Sequence, residues 1–431
     1  MLFKSIKGIH IDGHKSMSTN KPVSEYLNPE YVYIPLVSGA NKLKANVVAG
    51  DHVYVGKIVA TSEGRFYIPV ASSVSGEVTG IKKMWHSSGR MVETLEIKND
   101  FKDEVDPAIN KEENPEKLTR EEIIAKIKAC GVIGLGGAGF PTYVKYQCDQ
   151  KEVLIINGVE CEPYLTCDYV NMLNNPEKLF KGVKYLLKAA GAQKAVIALK
   201  EYRHDLVELF QPYLNENPEI SLYLAKDVYP AGWEKYLVQK ITGKTYEKLP
   251  SEVGAVVNNS STAILVADVI EKSLPQTERI VTITGDGIST PQNFKVKIGT
   301  RVKELVAKAG GYTSESDKTY CVAGGPMTGH SILIDDLIVD ATMCAVVYII
   351  SDNDRLNPAC LGCGKCSENC PAYLTPTSIR DAVIRKDVDA VSALNINACI
   401  LCGLCSYVCP SRVEITDYMV QAKDLVRKAG K

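Results

Sequence analysis

Eight of the 14 cysteines in this 431-residue chain fall between Cys360 and Cys409. They form two copies of one pattern, Cys360-x-x-Cys363-x-x-Cys366-x-x-x-Cys370-Pro371 and Cys399-x-x-Cys402-x-x-Cys405-x-x-x-Cys409-Pro410. The start, Met1-Leu2-Phe3-Lys4-Ser5, lacks the apolar core and cleavage site of a signal peptide. A disulfide framework is therefore a poor explanation, because cytosolic thiols stay reduced. The spacing is that of bacterial iron–sulfur ligation, in which the fourth cysteine of each run serves the other cluster. Three thiolates two residues apart wrap one corner of a cubane, and the Cys-Pro step turns the chain away. On this pattern Cys360, Cys363, Cys366 and Cys409 hold one [4Fe–4S] cluster, and Cys399, Cys402, Cys405 and Cys370 hold the other. Two zinc sites are the alternative, but structural zinc prefers separated Cys-x-x-Cys pairs. Of the remaining cysteines, Cys148, Cys167, Cys321 and Cys344 read as buried or neutral, and Cys130 and Cys161 lie near the loop treated below.

Composition narrows the class further. Lys+Arg number 50 and Asp+Glu 51, a net charge of -1. That excludes a broadly basic nucleic-acid binder and a highly acidic disordered chain. Apolar runs such as residues 345–350 are too short to span a bilayer. The expectation is a cytoplasmic protein with no transmembrane segment, able to dock on the inner face of the membrane through a partner. At roughly 150 residues per domain the length suggests about three units.

Residues 1–100 carry short apolar runs separated by glycines, as in Gly56-Lys57-Ile58-Val59-Ala60 and Ser75-Gly76-Glu77-Val78. They read as a small β unit. The charged stretch 101–118 reads as a surface linker. Residues 119–277 alternate helix and strand. Thr119 with Glu122 makes a capping box, Val153-Leu154-Ile155-Ile156 a buried strand, and residues 195–199 and 220–224 two more strands. This order predicts an α/β layer architecture. Residues 278–350 read as a second small β-rich unit with a short helix over 302–309, and residues 351–431 as the cysteine module.

The segment Gly134-Leu135-Gly136-Gly137-Ala138-Gly139-Phe140-Pro141-Thr142 contains a literal G-x-G-x-x-G, with Glu160 about 20 residues further on. It follows a helix, however, and Pro141 closes it, so the Rossmann context is missing. Glycines are first of all turn formers. Four of them in six residues exceed what a turn needs and fit a backbone lying against a flat ring or a phosphate.

That loop, continued through Tyr143-Val144-Lys145, resembles the flavin loop of the NADH-binding flavoprotein subunit of respiratory complex I. It resembles still more the C subunit of the Rnf ferredoxin–NAD oxidoreductase complex. Ile156-Asn157-Gly158-Val159-Glu160-Cys161-Glu162-Pro163-Tyr164 is similar to the second element of that site, and Val256-Val257-Asn258-Asn259-Ser260-Ser261-Thr262-Ala263 to the third. Gly324-Gly325-Pro326-Met327-Thr328-Gly329 and the order of the parts also match the Rnf C subunit. The resemblance implies a multidomain α/β chain: an N-terminal lipoyl-like barrel-sandwich β unit, an α/β flavin/NADH domain, a β-grasp-like unit and a two-cluster ferredoxin-like α module. It implies noncovalent FMN held by Gly134, Gly136, Gly137, Lys145, Asn157, Glu160, Asn258 and Asn259. Phe140 would lie where NAD(H) stacks, and Glu162 would face the nicotinamide or its ribose. The types suit the roles. Glycine N–H groups and a lysine favour a phosphate, and asparagine amides serve both edges of an isoalloxazine.

The chain departs from the Rnf pattern in places. Lys7-Gly8-Ile9-His10-Ile11 stands where Gly-Gly-Ile-His-Pro is usual, and Gly232-Trp233-Glu234-Lys235 where Gly-Gly-Glu-Lys is. The lipoyl-like turn, residues 71–76, has no lysine for a carried group, so that unit reads as a docking scaffold. The expected function is NADH-linked electron transfer through FMN and two clusters. A flavin can accept a hydride and release electrons singly. The partner would be Rnf membrane subunits, a ferredoxin or a soluble reductase, and the direction of flow depends on it. The competing reading is a relay or adapter that carries clusters without reacting with NADH.

Overall fold

The structure is a computed structural model and describes residues 7–110, 112–137, 139–147, 151–313, 319–333, 335–350 and 359–430. Cys148 and Ala138 lie outside the described residues.

The β unit is two four-stranded antiparallel sheets. One runs Tyr31–Pro35, Met91–Asn99, Gly76–Trp85, His52–Val53, and the other Val37–Ser38, Asn41–Ala45, Ile58–Ser62, Pro69–Ala71. Val32, Ile34, Val59, Val78, Leu95 and Ile97 fill the space between them. The segment before Tyr31 goes elsewhere. Ser24–Tyr26 pairs in parallel with Phe294, Lys295 and Val296, and residues 9–15 lie on the flavin-like domain. The polar stretch 101–118 is also anchored: Val105 bridges Val55, and Asp106 is buried. The turn at residues 71–76 is covered rather than presented. Ser72, Ser73 and Ser75 are buried, and Ser73 Oγ donates to the Ile298 carbonyl at 2.6 Å.

The central domain is built on a four-stranded parallel sheet, ordered Ile220–Ala225, Lys194–Lys200, Val153–Asn157, Ala255–Asn259. The all-apolar run Val153-Leu154-Ile155-Ile156 follows from burial on both faces. Leu154 and Ile156 pack with Ile123, Phe180 and Leu186 on one side, and Val153 and Ile155 with Tyr236 and Leu237 on the other. Thr119 and Glu122 form the capping box that opens helix Arg120–Ala129. The chain leaves the Val153 strand towards Lys194 and Ile220, then returns to Ala255 on the opposite side. The strand order therefore reverses between Val153–Asn157 and Ala255–Asn259. In open α/β sheets ligands lodge outside the carboxyl ends at this kind of switch point.

The second β unit is a six-stranded mixed sheet carrying helix Val302–Lys308, whose Val302, Leu305 and Val306 enter its core. The cysteine module is helical, with Pro376–Ile384 and Ile415–Lys428 packed around Ile379, Ile396 and Met419.

Candidate functional site

The two strand ends at the switch point carry asparagines. Asn157 and Asn259 are register partners, and Asn258 precedes Asn259. Asn259 caps helix Ser260–Lys272, its Oδ1 accepting from Ser261 N at 2.9 Å and Thr262 N at 3.3 Å. A 13-residue helix so placed turns its positive end toward the crevice.

The glycine-rich loop lies across this end. It hangs between helices Arg120–Ala129 and Thr142–Tyr146, pinned by Gly134 N to the Phe140 carbonyl at 2.8 Å and by Leu135 N to Thr262 Oγ1 at 3.0 Å. A Cβ on Gly136 would stand 3.3 Å from Asn259 Nδ2. Gly137 has φ +114° and open space where a Cβ would be, so the loop presents bare backbone at that point. Arg279, buried, donates to the Leu135 carbonyl at 3.0 Å and ties the loop to the second β unit.

Three polar groups around the crevice are incompletely served. The Asn258 side chain is buried; its Nδ2 meets Tyr146 Oη, and its Oδ1 has no partner. Ser260 Oγ at the helix start has none either. Lys145 donates to the Val257 carbonyl at 2.7 Å, and among the described residues no carboxylate pairs with it. Burial pulls its ammonium below the ordinary lysine range. Buried polar groups are normally satisfied. An orphaned amide oxygen, an orphaned hydroxyl and a lysine ammonium held only by a carbonyl at hydrogen-bond range, with the Glu234 carboxylate acting on it from further off, fit a polar, anionic ring ligand such as FMN.

The remaining candidates divide. Asn157 donates to the Gly232 carbonyl at 2.8 Å. Glu160, at φ +41°, is buried and accepts from Asp168 N at 2.8 Å, the first turn of helix Cys167–Asn174. Burial raises its pKa, and the Lys15 ammonium opposes that rise. Asp168 in turn accepts from Asn259 Nδ2 at 2.6 Å and Ser261 Oγ at 2.6 Å. Phe140 is 38% exposed and meets Phe66 of the β unit edge-on, ring centres 5.5 Å apart. Glu162 stands apart from the asparagines. Its carboxylate accepts from Met327 N at 2.7 Å, Thr328 N at 3.1 Å and Thr328 Oγ1 at 3.1 Å, so it clasps the Gly324–Gly329 loop.

Sequence reasoning missed Lys15, Asp168 and Arg279. Lys15 Nζ donates to the carbonyls of Glu160 at 2.7 Å, Glu162 at 2.8 Å and Leu165 at 2.5 Å, holding a segment with two positive-φ residues, Glu160 and Tyr164. A cavity of about 250 Å³ lies beside it, bordered by His14, Glu160, Cys161, Lys200 and Tyr202. No local pattern marks Lys15; only the departing N-terminal segment draws attention to it.

In the cysteine module Cys370, Cys399, Cys402 and Cys405 line one cavity together. This is the crossed set that the spacing predicts, with the fourth cysteine of the first run joining the second. Cys360 and Cys363 are exposed and Cys366 is buried. Among the described residues no three His, Cys, Asp or Glu side chains close on a single ion. Four thiols bordering one cavity fit the ligand set of a cluster.

Four family descriptions match the chain. They are "RnfC Barrel sandwich hybrid domain" over 3–102, "Nuo51 FMN-binding domain" over 127–268, "SLBB domain" over 280–330 and "4Fe-4S dicluster domain" over 359–414. The chain is 32% identical over 382 residues to the C subunit of the Na(+)-translocating ferredoxin:NAD(+) oxidoreductase complex of Acetobacterium woodii, covering 87% of this chain and 86% of that one. It is 32% identical over 387 residues to the proton-translocating counterpart of Clostridium ljungdahlii, covering 88% and 84%. With the C subunit of the ion-translocating oxidoreductase complex of Rhodobacter capsulatus the identity is 31%, over 90% of this chain and 76% of that one. A chain of an NAD+-reducing [NiFe]-hydrogenase shares the fold at TM-score 0.50 and 19% identity, over 74% of this chain and 62% of that one.

Proposed function

Because the chain belongs to the family of C subunits of ion-translocating ferredoxin:NAD(+) oxidoreductase complexes, we propose that its switch-point crevice holds FMN and passes electrons between NAD(H) and the two cluster sites. NADH-linked electron transfer through FMN and two [4Fe–4S] clusters is the family's chemistry. The carrying observation is the convergence of Gly136, Asn157 and Asn259 on one crevice beside the partnerless Asn258 Oδ1.

When bound, FMN supplies the exchange between a hydride and single electrons. The chain's residues bind and orient. Gly134, Gly136 and Gly137 let the ring lie against backbone. Lys145 and the Ser260 helix start favour the phosphate. Asn157, Asn258 and Asn259 address polar edges, and Glu160 fixes Asn259 through Asp168. Phe140 offers an exposed ring on which the dinucleotide stacks. Glu162 holds residues 324–329 in place. No side chain need act as acid, base or nucleophile.

Among the described residues no helix is long and apolar enough to cross a membrane. Contact with the other members of such a complex follows from the family. Placement at the cytoplasmic face, with a ferredoxin-type partner, extends that reading. The test is direct: purify the protein without oxygen, release any flavin, and follow NADH oxidation with an artificial acceptor. FMN and turnover are expected; clusters without flavin or turnover would make it a relay.

A further inference from the structure

The two cysteine runs are near repeats, yet the fold treats them unequally. Position by position, Gly364-Lys365 of the first corresponds to Gly403-Leu404 of the second. Both glycines have positive φ, +74° and +78°. A Cβ on Gly364 would meet nothing within 4 Å, whereas one on Gly403 would stand 2.5 Å from the Met327 carbonyl oxygen. Lys365 is exposed, while Leu404 is 1% exposed and packs with Ile11 and Tyr229. The second run is thus pressed into the body of the molecule and the first is left outside.

The contact leads toward the flavin crevice. Tyr229, buried, donates its hydroxyl to the Cys402 carbonyl at 2.7 Å. Cys161 and Cys402 border the same apolar cluster as Tyr229 and Leu404. On its far side Cys161 Sγ would be 3.1 Å from a Cβ on Gly232, the residue whose carbonyl Asn157 holds at 2.8 Å. A continuous line of packed atoms therefore joins Asn157, Gly232, Cys161, Tyr229 and Cys402. Cys360 and Cys363 are exposed.

We propose that the site of Cys370, Cys399, Cys402 and Cys405 is the inner relay, that of Cys360, Cys363, Cys366 and Cys409 the outer one facing the partner protein, and that Tyr229 is the positioning residue that seats the inner site. This rests on the flavin reading above. Each NADH leaves as NAD+ with one proton released. With the clusters bound, the two electrons would leave singly, by the inner site and then the outer site, to a one-electron-accepting redox protein. Flow from a reduced partner to NAD+ uses the same order reversed.

The test is an EPR-monitored redox titration of the holoprotein. Tyr229→Phe keeps the ring and removes only the hydroxyl. It should retain iron and FMN, still let NADH bleach the flavin, and change the EPR signal and midpoint of one cluster while the other stays. Cys402→Ala should leave an outer cluster that dithionite reduces and NADH does not; in Cys363→Ala, NADH should still reduce the inner cluster. A Tyr229→Phe titration with neither cluster moved, or both moved equally, overturns the proposal. So does normal NADH reduction of the outer cluster in Cys402→Ala. Wild-type protein without FMN would instead refute the flavin reading, so the two failures are distinguishable.

Discussion

Asn157 and Asn259 face each other across adjacent parallel strands at the point where the sheet's strand order reverses. Both amides are engaged by backbone or by Asp168. Their positions are therefore fixed before a ligand arrives, which limits the ordering cost of binding.

Lys145 supplies the first prediction. It is a half-buried cation with a carbonyl partner. A charge-assisted bond to phosphate is worth about 1.5–3 kcal/mol, so Lys145→Met should weaken FMN binding about tenfold to a hundredfold. Riboflavin, which lacks the phosphate, should bind both proteins equally. The apoprotein's stability should change by no more than about 1 kcal/mol, because relief of lysine burial offsets the carbonyl left unpaired. Fluorescence titration with the two flavins checks this.

Gly137 gives a second. Its φ of +114° is strained for any side chain, and the space beside it is open. Gly137→Val should cost about 1–3 kcal/mol in folding while placing two methyls where the ring would lie. Flavin should be absent from the purified variant, with cluster absorbance retained. Bound FMN at the wild-type level would reduce the loop to a turn.

Two carboxyls raised by desolvation set a pH dependence. Burial raises the pKa of Glu160 and of Glu162 above 4.5. The folded state then binds more protons than the unfolded chain, so the stability is present below pH 4.5 and is lost as pH rises through the folded values. Glu160→Gln keeps the bond to Asp168 N and removes one titration. Its apoprotein should lose less melting temperature than the parent does as pH rises above 4.5. Equal losses would contradict a strongly buried Glu160.

Iron content tests the cysteine sites. Two [4Fe–4S] clusters carry about eight irons. Cys363→Ala should leave about half of them, as measured by colorimetric iron assay on anaerobic protein. An unchanged content would dismiss Cys363 as a ligand.

The parts that were legible in the sequence are those encoded over short distances. The cysteine runs, the capping box at Thr119, the two-sided strand at Val153 and the bare loop at Gly134–Gly139 each declare themselves within a dozen residues. The hidden parts depend on long-range contacts. Asp168 reaches Asn259 across 91 positions, Lys15 reaches Glu160 across 145, and Tyr229 reaches Cys402 across 173. One pairing of the N-terminal segment is hidden for the same reason. Its Ser24–Tyr26 strand joins a sheet formed by residues near 294, which no local pattern around it announces. Glu162 sits two residues from Glu160, yet its partners are Met327 and Thr328, so adjacency in the chain concealed a different task.

An anaerobic titration with NADH, followed by visible absorbance and EPR, tests the central claim most directly. The account predicts one noncovalent FMN per chain, bleached by stoichiometric NADH, with cluster signals appearing in the same titration. Protein with full iron content whose spectrum does not change on adding NADH would contradict it.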